Sequence, residues 1–194
     1  MLALAEELYH LGVLSFGSFT LKSGIVSPFY LDLRRTVSSP KLLMNVADAI
    51  HEAVKSCSYD LVCGVPYTAL PFATVFSIRQ NTPMILKRKE RKQHGTGKMC
   101  EGIFHPGQTC LVIEDVITSG QSILETLESL ESEGLSVRDI AVLVDREQGG
   151  RQVLESKGYQ LHSVFTIRQI ISHLSEIGKI DAAAASTIFD FIRR

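Results

Sequence analysis

The chain has 194 residues, 45% of them hydrophobic and 21% charged, with a formal net charge of −1. That length and apolar share suit one domain with a sizeable core, and the near-neutral balance argues against nucleic acid or an anionic membrane surface as partner. The longest apolar stretch, 61–76, is broken by Gly64, Pro66 and Pro71, which excludes it as a membrane span.

At the N-terminus the apolar Met1-Leu-Ala-Leu-Ala runs directly into Glu6 and Glu7, with no basic segment before it. It reads as the start of a helix over 2–14 and not as a secretory signal, so the cytoplasm is the expected compartment. Leu4, Leu8, Leu11 and Leu14 would share one face of that helix. Two short strands follow near 16–21 and 28–33, joined by the turn Lys22-Ser23-Gly24. Pro40 then opens a helix that runs to about residue 56. Beyond it, strands near 60–64, 83–87, 109–114, 138–144 and 160–165 alternate with helices near 69–79, 119–133, 150–157, 167–176 and 181–193. Such alternation predicts an α/β fold, a mainly parallel sheet with helices on both faces. The one long irregular stretch is 88–108, with cations at its start and Gly95, Gly97, Gly102 and Gly107 within it. A loop of that length inside a small domain usually serves function. Cys57, Cys63, Cys100 and Cys110 have no C-x-x-C spacing and are expected to be reduced thiols, not zinc ligands or disulfides.

Residues 109–122 carry the strongest chemical signal. Cys110 to Ile113 is an apolar run suited to a strand buried on both faces, and the adjacent acids Glu114 and Asp115 end it. Val116 and Ile117 lead into a turn of small hydroxyl and glycine residues, Thr118-Ser119-Gly120-Gln121-Ser122, and then an amphipathic helix. Backbone N–H groups at that helix start, with the hydroxyls of Thr118, Ser119 and Ser122, would form a cup for phosphate. The two carboxylates, at a solvent-facing strand end, would accept hydrogen bonds from a sugar diol. The turn lacks the lysine of a Walker A loop, and no G-x-G-x-x-G follows a predicted strand.

Three further segments point to the same edge of the sheet. Cys63-Gly64-Val65-Pro66-Tyr67-Thr68 leaves a buried strand and begins a helix, which makes a second anion site. Lys87-Arg88-Lys89-Glu90-Arg91-Lys92-Gln93-His94-Gly95 places five cations in its first six residues, at the mouth of a glycine-containing loop. A closing cationic arm of this kind could neutralise a departing polyanion. Lastly, Lys22 near Phe29 and Tyr30, and Asp145-Arg146-Glu147-Gln148-Gly149-Gly150 after an apolar strand, offer an aromatic face and a guanidinium for an anionic base.

The 109–122 segment resembles the phosphoribosyl-diphosphate (PRPP) motif of type I phosphoribosyltransferases. The Arg-Lys-Glu-x-Lys-x-His-Gly string and the Lys22 and Arg146 segments resemble those of orotate phosphoribosyltransferases, most closely the N-terminal domain of animal-type UMP synthases. The resemblance spans about 14–170. It implies the type I phosphoribosyltransferase fold with a small hood from the N-terminal segment, in a single domain over 1–194. It equally suits the N-terminal part of a longer bifunctional chain. The implied reaction is orotate + PRPP ⇌ orotidine 5′-monophosphate + pyrophosphate, with Mg²⁺ held mainly by substrate and water and no protein metal ligands.

Residue by residue, the resemblance assigns catalysis to Lys89, Asp115, Arg88, Lys92 and His94. It assigns PRPP to Tyr67, Thr68 and the run from Glu114 through Asp115, Val116, Ile117, Thr118, Ser119, Gly120 and Gln121 to Ser122. Orotate falls to Lys22, Tyr30, Thr118 and Arg146. Thr68 stands where bacterial members commonly carry lysine, so a direct charge role is not expected there. The family precedent is a homodimer whose loop, here 88–102, acts in trans. Two other readings stay open on residues alone: a purine phosphoribosyltransferase, which would share 109–122, and a non-catalytic nucleic-acid-binding regulator on the same fold.

Overall fold

The computed structural model describes residues 2–20, 24–88 and 99–193. Helix α1 (Leu2–His10) stops sooner than its leucine spacing predicts. Gly12 adopts a φ of 73° and turns the chain, so Leu14 opens strand β1 (Leu14–Thr20) instead. β1 pairs antiparallel with β2 (Val26–Leu31), and the two form a separate two-stranded sheet. A 3-10 helix over Leu33–Ser38, which periodicity did not predict, leads to α2 (Pro40–Val54). There the Ser39 hydroxyl accepts from the Leu42 N–H.

The main sheet is built from β3 (Leu61–Gly64), β4 (Met84–Lys87), β5 (Cys100–Glu101), β6 (Cys110–Ile117), β7 (Asp139–Asp145) and β8 (Gln160–Thr166), in the order β5-β4-β3-β6-β7-β8. All neighbours run parallel except β4 and β5, where Leu86 pairs with Glu101 and Lys87 with Cys100. The two-residue β5 lies inside the stretch expected to be irregular.

Helices α3 (Ala69–Gln80), α4 (Gln121–Ser132), α5 (Gly150–Ser156), α6 (Ile167–Glu176) and α7 (Ala182–Ile192) complete the fold. Strand β7 is buried along its whole length because both of its faces are covered. Ala141 and Leu143 join the core under α2, α3, α6 and α7, while Ile140 and Val142 join the core under α4 and α5. Leu143, Ile140 and Val142 each contribute roughly 1.5–3 kcal/mol by leaving water.

The chain runs outward from β3 through β4 to β5, then returns to the other side of β3 as β6 and continues outward to β8. The strand order therefore reverses between β3 and β6. In such sheets a crevice opens beyond the carboxyl ends of the strands at that point.

Candidate active site

A cavity of about 920 Å³ opens at that reversal. Pro66, Tyr67 and Thr68 line it from the end of β3, and the continuous segment from Glu114 to Ser122 lines it from the end of β6. Tyr30 reaches it from β2 and Arg146 from the end of β7. The structure thus gathers into one space the expected PRPP residues and three of the four expected base residues, Tyr30, Thr118 and Arg146. Lys22, Lys89, Lys92 and His94 lie outside the described residues. Arg88 does not line the cavity; its guanidinium pairs with Glu101 at 3.0 Å, and its N–H donates to the Met99 carbonyl at 2.8 Å.

The helix starts differ in a way that matters for anions. Helices α2, α6 and α7 are closed by the side chains of Ser39, Thr166 and Asp181. By contrast, α3 and α4, which begin at the cavity, have no side-chain cap. Their first amides are therefore open to a ligand. Gly120 precedes α4 with a φ of 82°, a conformation that lets the turn fold back over the helix start and that other residues rarely adopt.

The acid pair needs correction. β6 does not end at Glu114 but continues to Ile117, because Val116 and Ile117 still pair with Val144 and Asp145 of β7. Glu114 is consequently buried, only 4% exposed, and does not face solvent. One of its oxygens accepts the Asp115 N–H at 2.9 Å, and the other accepts the Ser122 hydroxyl at 2.9 Å. The Ser122 hydroxyl therefore holds Glu114, and only the Ser122 backbone remains for the phosphate cup. Burial, with the Asp115 carboxylate beside it, pushes the Glu114 pKa well above its ordinary value. Asp115 is half-buried and is also raised by burial, while hydrogen bonds and the nearby Arg34 charge oppose the shift.

Arg146 is the unusual cation. It is 8% exposed, and its Nε and one terminal nitrogen, Nη2, are buried with no hydrogen-bond partner. Burial lowers its pKa from the usual guanidinium value. The guanidinium sits 4.6 Å from the centre of the Phe29 ring, a cation–π contact.

The loop around Arg146 is tightly held. Asp145 accepts the Glu147 N–H at 2.8 Å and pairs with Arg151 at 3.0 Å. Asp145 is thus a turn-holding residue and makes no contact of its own in the cavity wall. Two backbone bonds tie this loop to the phosphate turn: the Arg146 N–H donates to the Ile117 carbonyl at 3.0 Å, and the Gly150 N–H to the Thr118 carbonyl at 2.9 Å. Gly150 permits that approach, since a Cβ there would lie 2.5 Å from the Thr118 oxygen.

The cavity thus has an uncapped hydroxyl-Gly turn at one end and a buried, unpartnered guanidinium at the other, and the chain that carries it resembles known proteins over nearly its whole length. The Phosphoribosyl transferase domain model matches residues 36–169. Orotate phosphoribosyltransferase of Chlamydia caviae is 44% identical over 190 residues, covering 95% of this chain and 92% of its own length. The chain belongs to the orotate phosphoribosyltransferase family.

Bovine uridine 5′-monophosphate synthase is 46% identical over 98% of this chain, which spans 40% of that longer protein. The crystal structure of orotate phosphoribosyltransferase from Aeropyrum pernix superposes with a TM-score of 0.80 at 34% identity, covering 92% of this chain and 99% of that one.

The sequence reading brought the 118–122 turn and Arg146 to one cavity and named Phe29 and Tyr30 together as an aromatic face, without saying which ring lies under the guanidinium. Strand alternation decides between them: Phe29 is fully buried, and Tyr30 is 37% exposed beside Phe19 and Arg34. Thr20 and Glu125 also line the cavity, and nothing in their spacing marked them.

Proposed function

We propose that this chain transfers the 5-phosphoribosyl group of PRPP to N1 of orotate, giving orotidine 5′-monophosphate and pyrophosphate in the synthesis of UMP. The observation that carries the choice of base is Arg146, which lines the same cavity as the 118–122 turn and whose guanidinium has two buried nitrogens without partners. An anionic base would supply the missing acceptors, whereas a neutral purine would leave them unpaired. Near-neutral net charge disfavours the nucleic-acid reading.

In this reading the 5-phosphate takes the open amides at the start of α4 with the Thr118 and Ser119 hydroxyls. Asp115, half-buried beside that turn, receives the ribose hydroxyls. Glu114 acts one layer back, fixing Ser122 and the Asp115 amide. The amides after Pro66 at the start of α3 face the pyrophosphate, where Tyr67 and Thr68 line the wall. Tyr30 flanks the base, and Arg146 over Phe29 pairs with its carboxylate. Lys22 is assigned to the same base on its sequence segment alone.

No covalent nucleophile is required, because orotate N1 attacks C1 of a ribose with oxocarbenium character. The residues' task is to position the two substrates and stabilise charge. Arg88, Lys89, Lys92 and His94 belong to the segment that would meet the departing pyrophosphate. The oxygen-rich, half-buried Asp115 edge suits a hard cation, and Mg²⁺ would there neutralise pyrophosphate charge, held mainly by substrate and water. Among the described residues no helix is long and apolar enough to cross a membrane, and a cytoplasmic site for the reaction is part of this proposal.

Loss of orotate absorbance with PRPP and Mg²⁺ tests the assignment; turnover of hypoxanthine or adenine in its place refutes it. The single-domain reading of 1–194 and a homodimer with loop 88–102 acting in trans belong to the same proposal. Mixing Lys89→Ala with Asp115→Asn subunits should then recover roughly a quarter of wild-type activity, from mixed dimers with one intact site. No recovery in verified mixed dimers would refute action in trans.

A further inference from the structure

We infer that the opposite end of the sheet carries a transition-metal site, formed by Cys57, Asp139 and His162 and suited to Zn²⁺. Asp139 is the first residue of β7, and His162 lies near the start of β8. Asp139 pairs with Gln160 and Ala141 with His162, so Asp139 and His162 sit two positions apart on one face of the sheet. Cys57 follows the end of α2, the helix that covers β7 and β8, and its N–H donates to the Val54 carbonyl at 2.9 Å.

A thiol, an imidazole nitrogen and a carboxylate oxygen thereby converge, all within 4.8 Å of one another. They come from three segments apart in sequence, at the amino-terminal ends of β7 and β8, whereas Arg146 of the proposed active site follows the carboxyl end of β7.

The geometry selects a metal over the other uses of such a trio. A nucleophilic relay needs cysteine on one ring nitrogen and the acid on the other. Here both meet the same atom: His162 Nε2 lies 3.5 Å from Cys57 Sγ and 2.8 Å from Asp139 Oδ1. A tetrahedral zinc with ordinary bond lengths places its sulfur and nitrogen ligands roughly 3.6 Å apart, and its nitrogen and oxygen ligands roughly 3.4 Å apart. The first spacing is already met at 3.5 Å, and the second needs the carboxylate oxygen to draw back by about half an ångström.

The carboxylate is pre-oriented, because Arg138 Nε donates to its other oxygen at 3.2 Å and leaves Oδ1 turned to the histidine. The mixture of thiolate, imidazole and carboxylate suits zinc and disfavours Mg²⁺ or Ca²⁺, which take oxygen ligands. Three protein ligands leave a fourth position for water. His162 is 22% exposed, and Cys57 also lines an open cavity of about 330 Å³, so an ion has a way in. A metal here would pin the end of α2 to β7 and β8.

The test uses the intact chain freed of metal by chelation. One equivalent of Co²⁺ should give a thiolate-to-cobalt charge-transfer band and the intense visible bands of a four-coordinate ion. Zn²⁺ should then abolish both. Cys57→Ser should lose the charge-transfer band while keeping orotate turnover, and His162→Gln should bind at least tenfold more weakly. Zn²⁺ at a hundredfold excess over its Kd should raise the wild-type Tm by roughly 5–10 °C and leave the Cys57→Ser variant unmoved.

A second arm needs no variant. Cys57 is only partly buried, whereas Cys63, Cys100 and Cys110 are buried. Zn²⁺ should therefore protect Cys57 selectively from alkylation, read by peptide mass. A cobalt spectrum without a thiolate band, a band that survives Cys57→Ser, or equal alkylation with and without Zn²⁺ would each overturn the site.

Discussion

Replacing Arg146 by methionine separates recognition of the base from stability. The guanidinium has two buried nitrogens without partners, so a carboxylate entering the cavity can form two charge-assisted hydrogen bonds. At about 1.5–3 kcal/mol each, they stabilise the orotate complex by about 3–6 kcal/mol. Arg146→Met should therefore lower kcat/KM for orotate by about 10²–10⁴. Uracil has no carboxylate to lose, and its slower turnover should change less than about tenfold.

Stability should move little. Removing an unpaired buried charge relieves about 1–3 kcal/mol, against about 0.5–2 kcal/mol lost with the cation–π contact to Phe29. For a chain of this size the Tm should fall by no more than about 4 °C, and a small rise is the expected sign. The assay is steady-state absorbance with each base at saturating PRPP, beside calorimetry of the unliganded protein. Equal losses for orotate and uracil, or unchanged orotate turnover, would refute the carboxylate role.

Glu114→Gln tests the buried acid through pH. Because burial and Asp115 raise the Glu114 pKa above its ordinary 4.5, its stabilising contribution is complete below that value and is given up as pH rises through the folded-state value. The Tm of the unliganded variant should thus gain on wild type as the pH rises above 4.5, and a constant gap contradicts the assignment. Gly150→Ala places a Cβ 2.5 Å from the Thr118 oxygen and 2.6 Å from Ile117 Cγ1. An overpacking cost of about 1–3 kcal/mol should lower Tm by roughly 2–12 °C, and PRPP binding measured by calorimetry should weaken with it; unchanged binding and Tm would remove Gly150 from the support of the turn. Lys89→Ala should reduce kcat by about 10²–10³ with Tm unmoved, as for one lost charge stabiliser. A large fall in Tm with normal kcat would make the residue structural.

The parts of the site legible in the sequence were those written in one continuous segment. The apolar run Cys110–Ile113, the acid pair and the hydroxyl-Gly turn announce strand, site and helix without outside help. What escaped depends on partners distant in sequence. β6 passes through Glu114 to Ile117 because β7 supplies Val144 and Asp145 as neighbours, and no local pattern encodes that. β5 is two residues long, too short for any period. Phe29 and Tyr30 are indistinguishable by type, and only the pairing of β1 with β2 decides which ring is buried. Cys57, Asp139 and His162 show no metal-ligand spacing at all, since 105 residues separate the cysteine from the histidine.

The two backbone bonds between the phosphate turn and the Arg146 loop make the halves of the cavity thermodynamically answerable to each other. A ligand that settles the Ile117 and Thr118 carbonyls also settles the amides of Arg146 and Gly150 that donate to them. Whatever factor PRPP then adds to the affinity for orotate, orotate must return to PRPP in equal measure. If both substrates bind as proposed, these two bonds are the path by which occupancy of one half of the cavity would be felt in the other.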